Sequence, residues 1–221
     1  MTARDQILSR VRTALGRTAG AAPPAPPAVH LQPEVTPQFE RVENFRNALE
    51  ALGGKVASAQ TPAEARAYVE SILQGRRAIA SHAPILDACG LSAVPGVTTE
   101  FSREACAATD VGITSADYAL ADSGTLVLLT ESLESRTLSL LPPCHVAVIL
   151  QIQILGGLDE LFTRVPLPAG RSSAMILITG PSRTGDIEMR LVRGVHGPGE
   201  IHVVIIGDVT LAGQTHQRTY E

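Results

Sequence analysis

Apolar positions along this chain recur with two periods, and the change from one to the other marks its elements. Phe39, Val42, Phe45, Leu49 and Leu52 follow helical spacing, and Gly53-Gly54 ends that helix because glycine takes the positive φ of a helix stop at little cost. Lys55 to Ala59 reads as a short strand. Thr61-Pro-Ala-Glu64 is a capping box with proline at the first helical position, and it opens a helix to about Leu73 that Gly75 closes. Arg77 to Ser81 is the next strand, and residues 84 to 110 read as two short helices around a weak strand near Gly96-Val97. Such alternation predicts a largely parallel sheet with helices on both faces.

From Val111 the rhythm shortens. Gly112 to Thr114, Tyr118 to Ala121 and Thr125 to Thr130 are strands in quick succession, with Asp122-Ser-Gly124 short enough for a hairpin turn. A parallel crossover needs about a dozen residues, so these strands cannot all be parallel and the sheet should be mixed. A short helix over 132–141, a buried strand over His145 to Leu150 and a crossover helix from Leu155 to Phe162 follow. Ala174 to Ile178 is a continuous apolar run of the kind buried on both faces. It leads into a polar loop from Thr179, a helix opening near Asp186 and running to about Arg193, a turn at Gly194-Val-His-Gly-Pro-Gly199, and a last strand at Ile201 to Ile206.

The pattern predicts an α/β three-layer sandwich over residues 38–207, built on a mixed, mostly parallel sheet. Ahead of it, Ile7, Leu8, Val11 and Leu15 share one helical face opposite Arg4, Arg10, Arg12 and Arg17. Residues 1–37 therefore read as an amphipathic helical arm with an Ala/Pro-rich linker from Thr18 to Pro37, and residues 208–221 as a polar tail.

Composition narrows the function. Of 221 residues, 44% are hydrophobic and only 3% aromatic, with net charge −4 and a pI near 5.9, which argues against a nucleic-acid surface. Lys55 is the single lysine and is distant in sequence from the polar loop, so a Walker-type phosphate loop is excluded there. Cys89, Cys106 and Cys144 are widely separated and form no CxxC, so no local iron–sulfur or zinc motif is expected. No apolar stretch approaches the ~20 residues of a membrane span. The amino end lacks a signal-peptide core, and the expected compartment is cytoplasmic.

Four places concentrate chemistry. Gly180, Ser182, Arg183 and Thr184 gather hydroxyls, a guanidinium and backbone N–H groups after a buried strand, a cradle for a carboxylate or phosphate or else an elaborate helix cap. Asp122, Ser123, Gly124 and Thr125 form either an ordinary turn or part of the same mouth, with Gly124 letting a ligand approach the backbone. Arg136 could clamp a carboxylate bidentately. His196, among glycines, and Asp122 are the candidates for proton transfer. The six histidines lack the spacing of a metal pair, and no metal site is expected.

Ala121-Asp-Ser-Gly-Thr125, Ser139-Leu-Leu-Pro-Pro143, Gly180-Pro-Ser-Arg-Thr-Gly-Asp-Ile-Glu188 and Gly194-Val-His-Gly-Pro198 occur in that order. Together they resemble the lactate utilisation protein C family, the LUD-domain proteins, over roughly residues 38 to 206. The resemblance implies a fold similar to the ribose-phosphate isomerase, glucosamine-phosphate deaminase and CoA-transferase group. It also implies a part in oxidising L-lactate to pyruvate beside two iron–sulfur partner proteins, which would carry the clusters this chain has no motif to hold. Two alternatives stay open: an independent isomerase or acyl-transferase acting on a phosphorylated or CoA-linked substrate, and a purely structural scaffold.

Overall fold

Among the described residues, two main sheets and a two-stranded ribbon, instead of the single mixed sheet expected from strand spacing, organise the chain. A computed structural model describes residues 2–16, 36–130, 133–166, 168, 172, 174–184 and 192–207. The chain divides into two units, Met1–His30 and Leu31–Glu221.

In the first unit, α1 (Ala3–Ala14) starts at a capping box. The Thr2 hydroxyl accepts the Asp5 N–H at 3.2 Å, while the Asp5 carboxylate accepts the Thr2 N–H at 2.8 Å. Ile7, Val11 and Leu15 line an exposed apolar stripe on this helix.

The second unit opens with α2 (Gln38–Ala51), β1 (Lys55–Ala59), α3 (Pro62–Leu73) and β2 (Ala78–Ala80). Next come α4 (Pro84–Ala88), β3 (Val97–Thr98), α5 (Arg103–Ala107), β4 (Val111–Ser115), β5 (Tyr118–Leu120) and β6 (Thr125–Thr130). The chain continues through α6 (Leu133–Leu138), β7 (Cys144–Leu150), β8 (Ile154–Leu155), α7 (Leu158–Arg164) and β9 (Ala174–Ile178), then β10 (Arg183–Thr184), β11 (Val192–Arg193) and β12 (Glu200–Ile206). Among the described residues no helix is long and apolar enough to cross a membrane.

The central sheet runs β1-β12-β7-β4-β2-β3, and every neighbouring pair is parallel. The closely spaced strands form their own sheet, β8-β5-β6-β9, in which β6 is antiparallel to both neighbours. Short connections forced that segregation, since they can close hairpins but cannot carry a crossover.

The period of two along β12 sets the layers. Val204 and Ile206 share one sheet face with Val146 and Val148, in a cluster with the α3 residues Ala65 and Val69. Ile201, Val203 and Ile205 face Leu126 and Leu128 of the second sheet, together with Phe45 and Leu49 of α2. Burying each such side chain contributes roughly 1.5–3 kcal/mol, so both faces of β12 hold the layers together.

Helix α2 lies across one end of the second sheet. The Gln38 amide donates to the Gln151 carbonyl and to that of Ile154 at 3.3 Å, beside β8. Leu49 meets the β5–β6 turn and Leu52 meets the exit of β9. The helix expected to reach Arg193 does not: Val192 and Arg193 are a strand paired antiparallel with Arg183 and Thr184. Its expected start at Asp186 lies in 185–191, outside the described residues.

Candidate functional site

Antiparallel pairing of Leu126 with Ile178 sets the start of β6 beside the end of β9. The turn before β6 and the loop after β9 therefore meet. Thr125 Oγ1 and Thr179 Oγ1 hydrogen-bond at 2.8 Å, and Thr125 also donates to Ser123 Oγ at 2.9 Å. Ser123 in turn donates to the Asp122 carboxylate at 2.9 Å. A chain of hydroxyls thus links the two stretches that the sequence marked separately.

The glycines here admit a helix. A Cβ on Gly124, at φ +64°, would stand 2.4 Å from the Leu49 backbone nitrogen. One on Gly180, at φ +83°, would stand 2.9 Å from Leu52 Cβ. The approach that Gly124 was expected to allow a ligand is taken by the backbone of α2.

Arg183 is exposed, and its guanidinium donates to the carbonyl of Leu52 at the carboxyl end of α2. That carbonyl is among the acceptors a helix leaves unpaired, and the positive group also suits the negative helix end. Arg193 joins it through the β10–β11 pairing. A Cβ on Gly53 would stand 2.9 Å from Arg183 Nη2 and 3.5 Å from Arg193 Nη2, so two guanidinia converge over one turn.

The glycine-rich turn packs against the same loop. The Ser182 N–H donates to the Pro198 carbonyl at 2.8 Å, and the Gly194 N–H donates to the Ser182 carbonyl at 3.0 Å. The exposed His196 donates its backbone N–H to Ser182 Oγ at 3.4 Å.

The fold thus links Asp122, Ser123, Gly124, Thr125, Gly180, Ser182, Arg183, Thr184 and His196, with Gly124, Gly180 and Arg183 against the end of α2. Arg136 does not join them. It is exposed on α6, beyond the far end of β6, and that strand alone spans roughly 17 Å.

A second constellation escaped the sequence reading because its members are far apart along the chain. Parallel register sets Glu200 beside Cys144 and His202 beside Lys55. Glu200 Oε1 lies 2.9 Å from His202 Nε2 and 3.0 Å from Lys55 Nζ, and Arg76 reaches Oε2 at 3.3 Å. Tyr68 Oη lies 3.0 Å from His202 Nδ1. Hydrogen bonds from His202 and Lys55 hold the Glu200 carboxyl down at about 2, while burial lowers His202 and raises Tyr68. Burial pushes the Cys144 thiol up to about 12, so it is no activated nucleophile despite the nearby histidine.

Two other buried groups complete the picture. Cys89 is pushed up to about 11 by burial. His145 is fully buried, with Nε2 2.9 Å from Thr114 Oγ1 and Nδ1 without a partner among the described residues, and desolvation lowers it to about 4.

A family model described as the LUD domain matches residues 86–206. Lactate utilization protein C of Exiguobacterium sp. is 30% identical over 226 residues, which cover 95% of this chain and 98% of that protein. Lactate utilization protein C of Halalkalibacterium halodurans is 40% identical over 103 residues; that match spans 45% of this chain and 45% of the relative's own length. Among solved structures, the crystal structure of a DUF162 family protein from Deinococcus radiodurans is similar, with a TM-score of 0.60 and 21% identity, covering 78% of this chain and 100% of that one. That likeness shows a shared α/β fold. A domain model covering more than half of the residues, and a relative aligned along nearly its full length, show that this chain belongs to the LUD-domain family.

Proposed function

We propose that this protein serves in lactate utilisation as a subunit without a redox centre of its own, working beside two iron–sulfur proteins in the oxidation of L-lactate to pyruvate. The names of its relatives support the pathway. Its cysteines support the division of labour: Cys89, Cys106 and Cys144 are buried on different elements, a poor donor set for a cluster. The compartment that fits this role is the cytoplasm.

Within that role, the rim over the end of α2 receives a small carboxylate. The convergence of Arg183 and Arg193 over Gly53 carries this reading, because paired guanidinia are suited to bidentate recognition of a carboxylate. Ser182 and Thr184 add hydroxyls, and His196 and Asp122 stand at the rim as the groups able to take or give a proton.

The test is reconstitution. The purified chain should leave L-lactate unchanged with an artificial electron acceptor, and addition of the two iron–sulfur proteins should start pyruvate formation. Lactate oxidation by the chain alone would overturn the proposal. Turnover of a sugar phosphate or acyl-CoA by the chain alone would replace it with the isomerase or acyl-transferase alternative.

A further inference from the structure

The clustered ends of β1, β7 and β12 offer chemistry that the lactate role does not use. Cys144, Glu200 and His202 each present one donor atom, and the three donors lie within 4.8 Å of one another. One thiol sulfur, one carboxylate oxygen and one imidazole nitrogen make a donor set typical of zinc. Three protein ligands with a fourth position left over is also the pattern of zinc sites that keep an exchangeable ligand.

The surroundings favour the same reading. His202 Nε2–H now donates to the Glu200 carboxylate at 2.9 Å and Tyr68 donates to Nδ1 at 3.0 Å; ligation through Nε2 moves the ring proton to Nδ1, where Tyr68 Oη is placed to accept it. The site is anchored on sheet: Cys144 and His202 are buried, on neighbouring strands paired in parallel. Glu200, half-buried, is the ligand able to move. Besides His202, its present partners are the cations Lys55 and Arg76, and Lys55, whose side chain is 61% exposed, can swing into water when a cation takes Oε1. Arg76 can keep Oε2, since two more of its nitrogens are tied to the Ile72 carbonyl.

The geometry points to a zinc-class divalent cation site formed by Cys144, Glu200 and His202, with Tyr68 as the outer partner of the histidine. Binding breaks the Cys144 S–H bond, forms the metal–sulfur bond and releases one proton to solvent, with no change in oxidation state.

The experiment is titration of the chelator-treated full chain with Co2+ and Zn2+. One equivalent of Co2+ should bind and give a thiolate-to-cobalt charge-transfer band, which Zn2+ should abolish. Tyr68→Phe should weaken Zn2+ binding by roughly tenfold with unchanged circular dichroism, as for loss of an outer partner. Glu200→Gln, at a half-exposed position, should weaken it further. Cys144→Ser should remove the band; if that variant does not fold, the Glu200 and Tyr68 variants decide. Absence of stoichiometric binding, or a band unaltered by Glu200→Gln and Tyr68→Phe together, would overturn the site. Lactate oxidation is not read, so this outcome is independent of the proposed subunit role.

Discussion

Arg183 hydrogen-bonds the carbonyl of Leu52, so the residue proposed to meet a carboxylate also caps the helix beneath it. In the proposed role, binding and architecture are coupled at one guanidinium. Arg183→Ala should lower stability by about 1 kcal/mol, the usual net value of one hydrogen bond at an exposed site. Arg183→Lys should restore part of that stability while losing bidentate recognition of a carboxylate. Urea unfolding of both variants, with lactate-dependent growth measured in parallel, separates the two contributions.

Gly124→Ala should be far more damaging. The new methyl would stand 2.4 Å from the Leu49 nitrogen, on a backbone already at φ +64°. Overpacking against a helix backbone, added to left-handed strain, predicts a loss of about 3 kcal/mol. A lower urea midpoint with unchanged slope would bear this out; a shift within experimental error would refute it.

His145 should make the fold sensitive to mild acid. The unfolded chain takes up a proton near the ordinary histidine value of 6.5, whereas the buried ring resists protonation down to about 4. The unfolded state therefore binds more protons throughout that window, and stability falls as pH drops from 6.5 to 4, by roughly 3 kcal/mol in all. His145→Gln, which can keep a polar contact with Thr114, should flatten this part of the profile. An unchanged slope in the variant would assign the effect elsewhere.

Arg136 and Arg193 give a paired control. Arg193→Ala should reduce lactate-dependent growth in a strain lacking the native gene, because it removes one of the guanidinia over Gly53. Arg136→Ala, on a helix at the other end of β6, should leave growth unchanged. The reverse pattern would move the carboxylate site to α6.

Local signals carried the helices well. Thr61 does accept the Glu64 N–H at 3.2 Å, although Glu64 reaches back to Gln60 and not to Thr61 itself. Gly53, at φ +86°, follows α2 as its sequence requires. The β5–β6 hairpin was equally legible from Asp122-Ser-Gly124.

Choices between distant partners were not legible. Spacing excluded an all-parallel set but could not divide strands between two sheets. The pairing of Val192 with Thr184 is likewise a tertiary contact, invisible to helical periodicity. Glu200 and Cys144 become neighbours only through the register of β12 on β7. At Gly124 the sequence suggested a plain turn or room for a ligand, and could not name α2 as what approaches there and at Gly180.

The position of β12 between β1 and β7 sets a constraint on biosynthesis. Among the described residues β1 has no other neighbour in its sheet, yet some 140 residues separate its end from the start of β12. During translation that strand waits on the order of ten seconds with an unsatisfied edge. A ribosome stalled before Glu200 would therefore hold a nascent chain with a split sheet, open to chaperones and to mispairing.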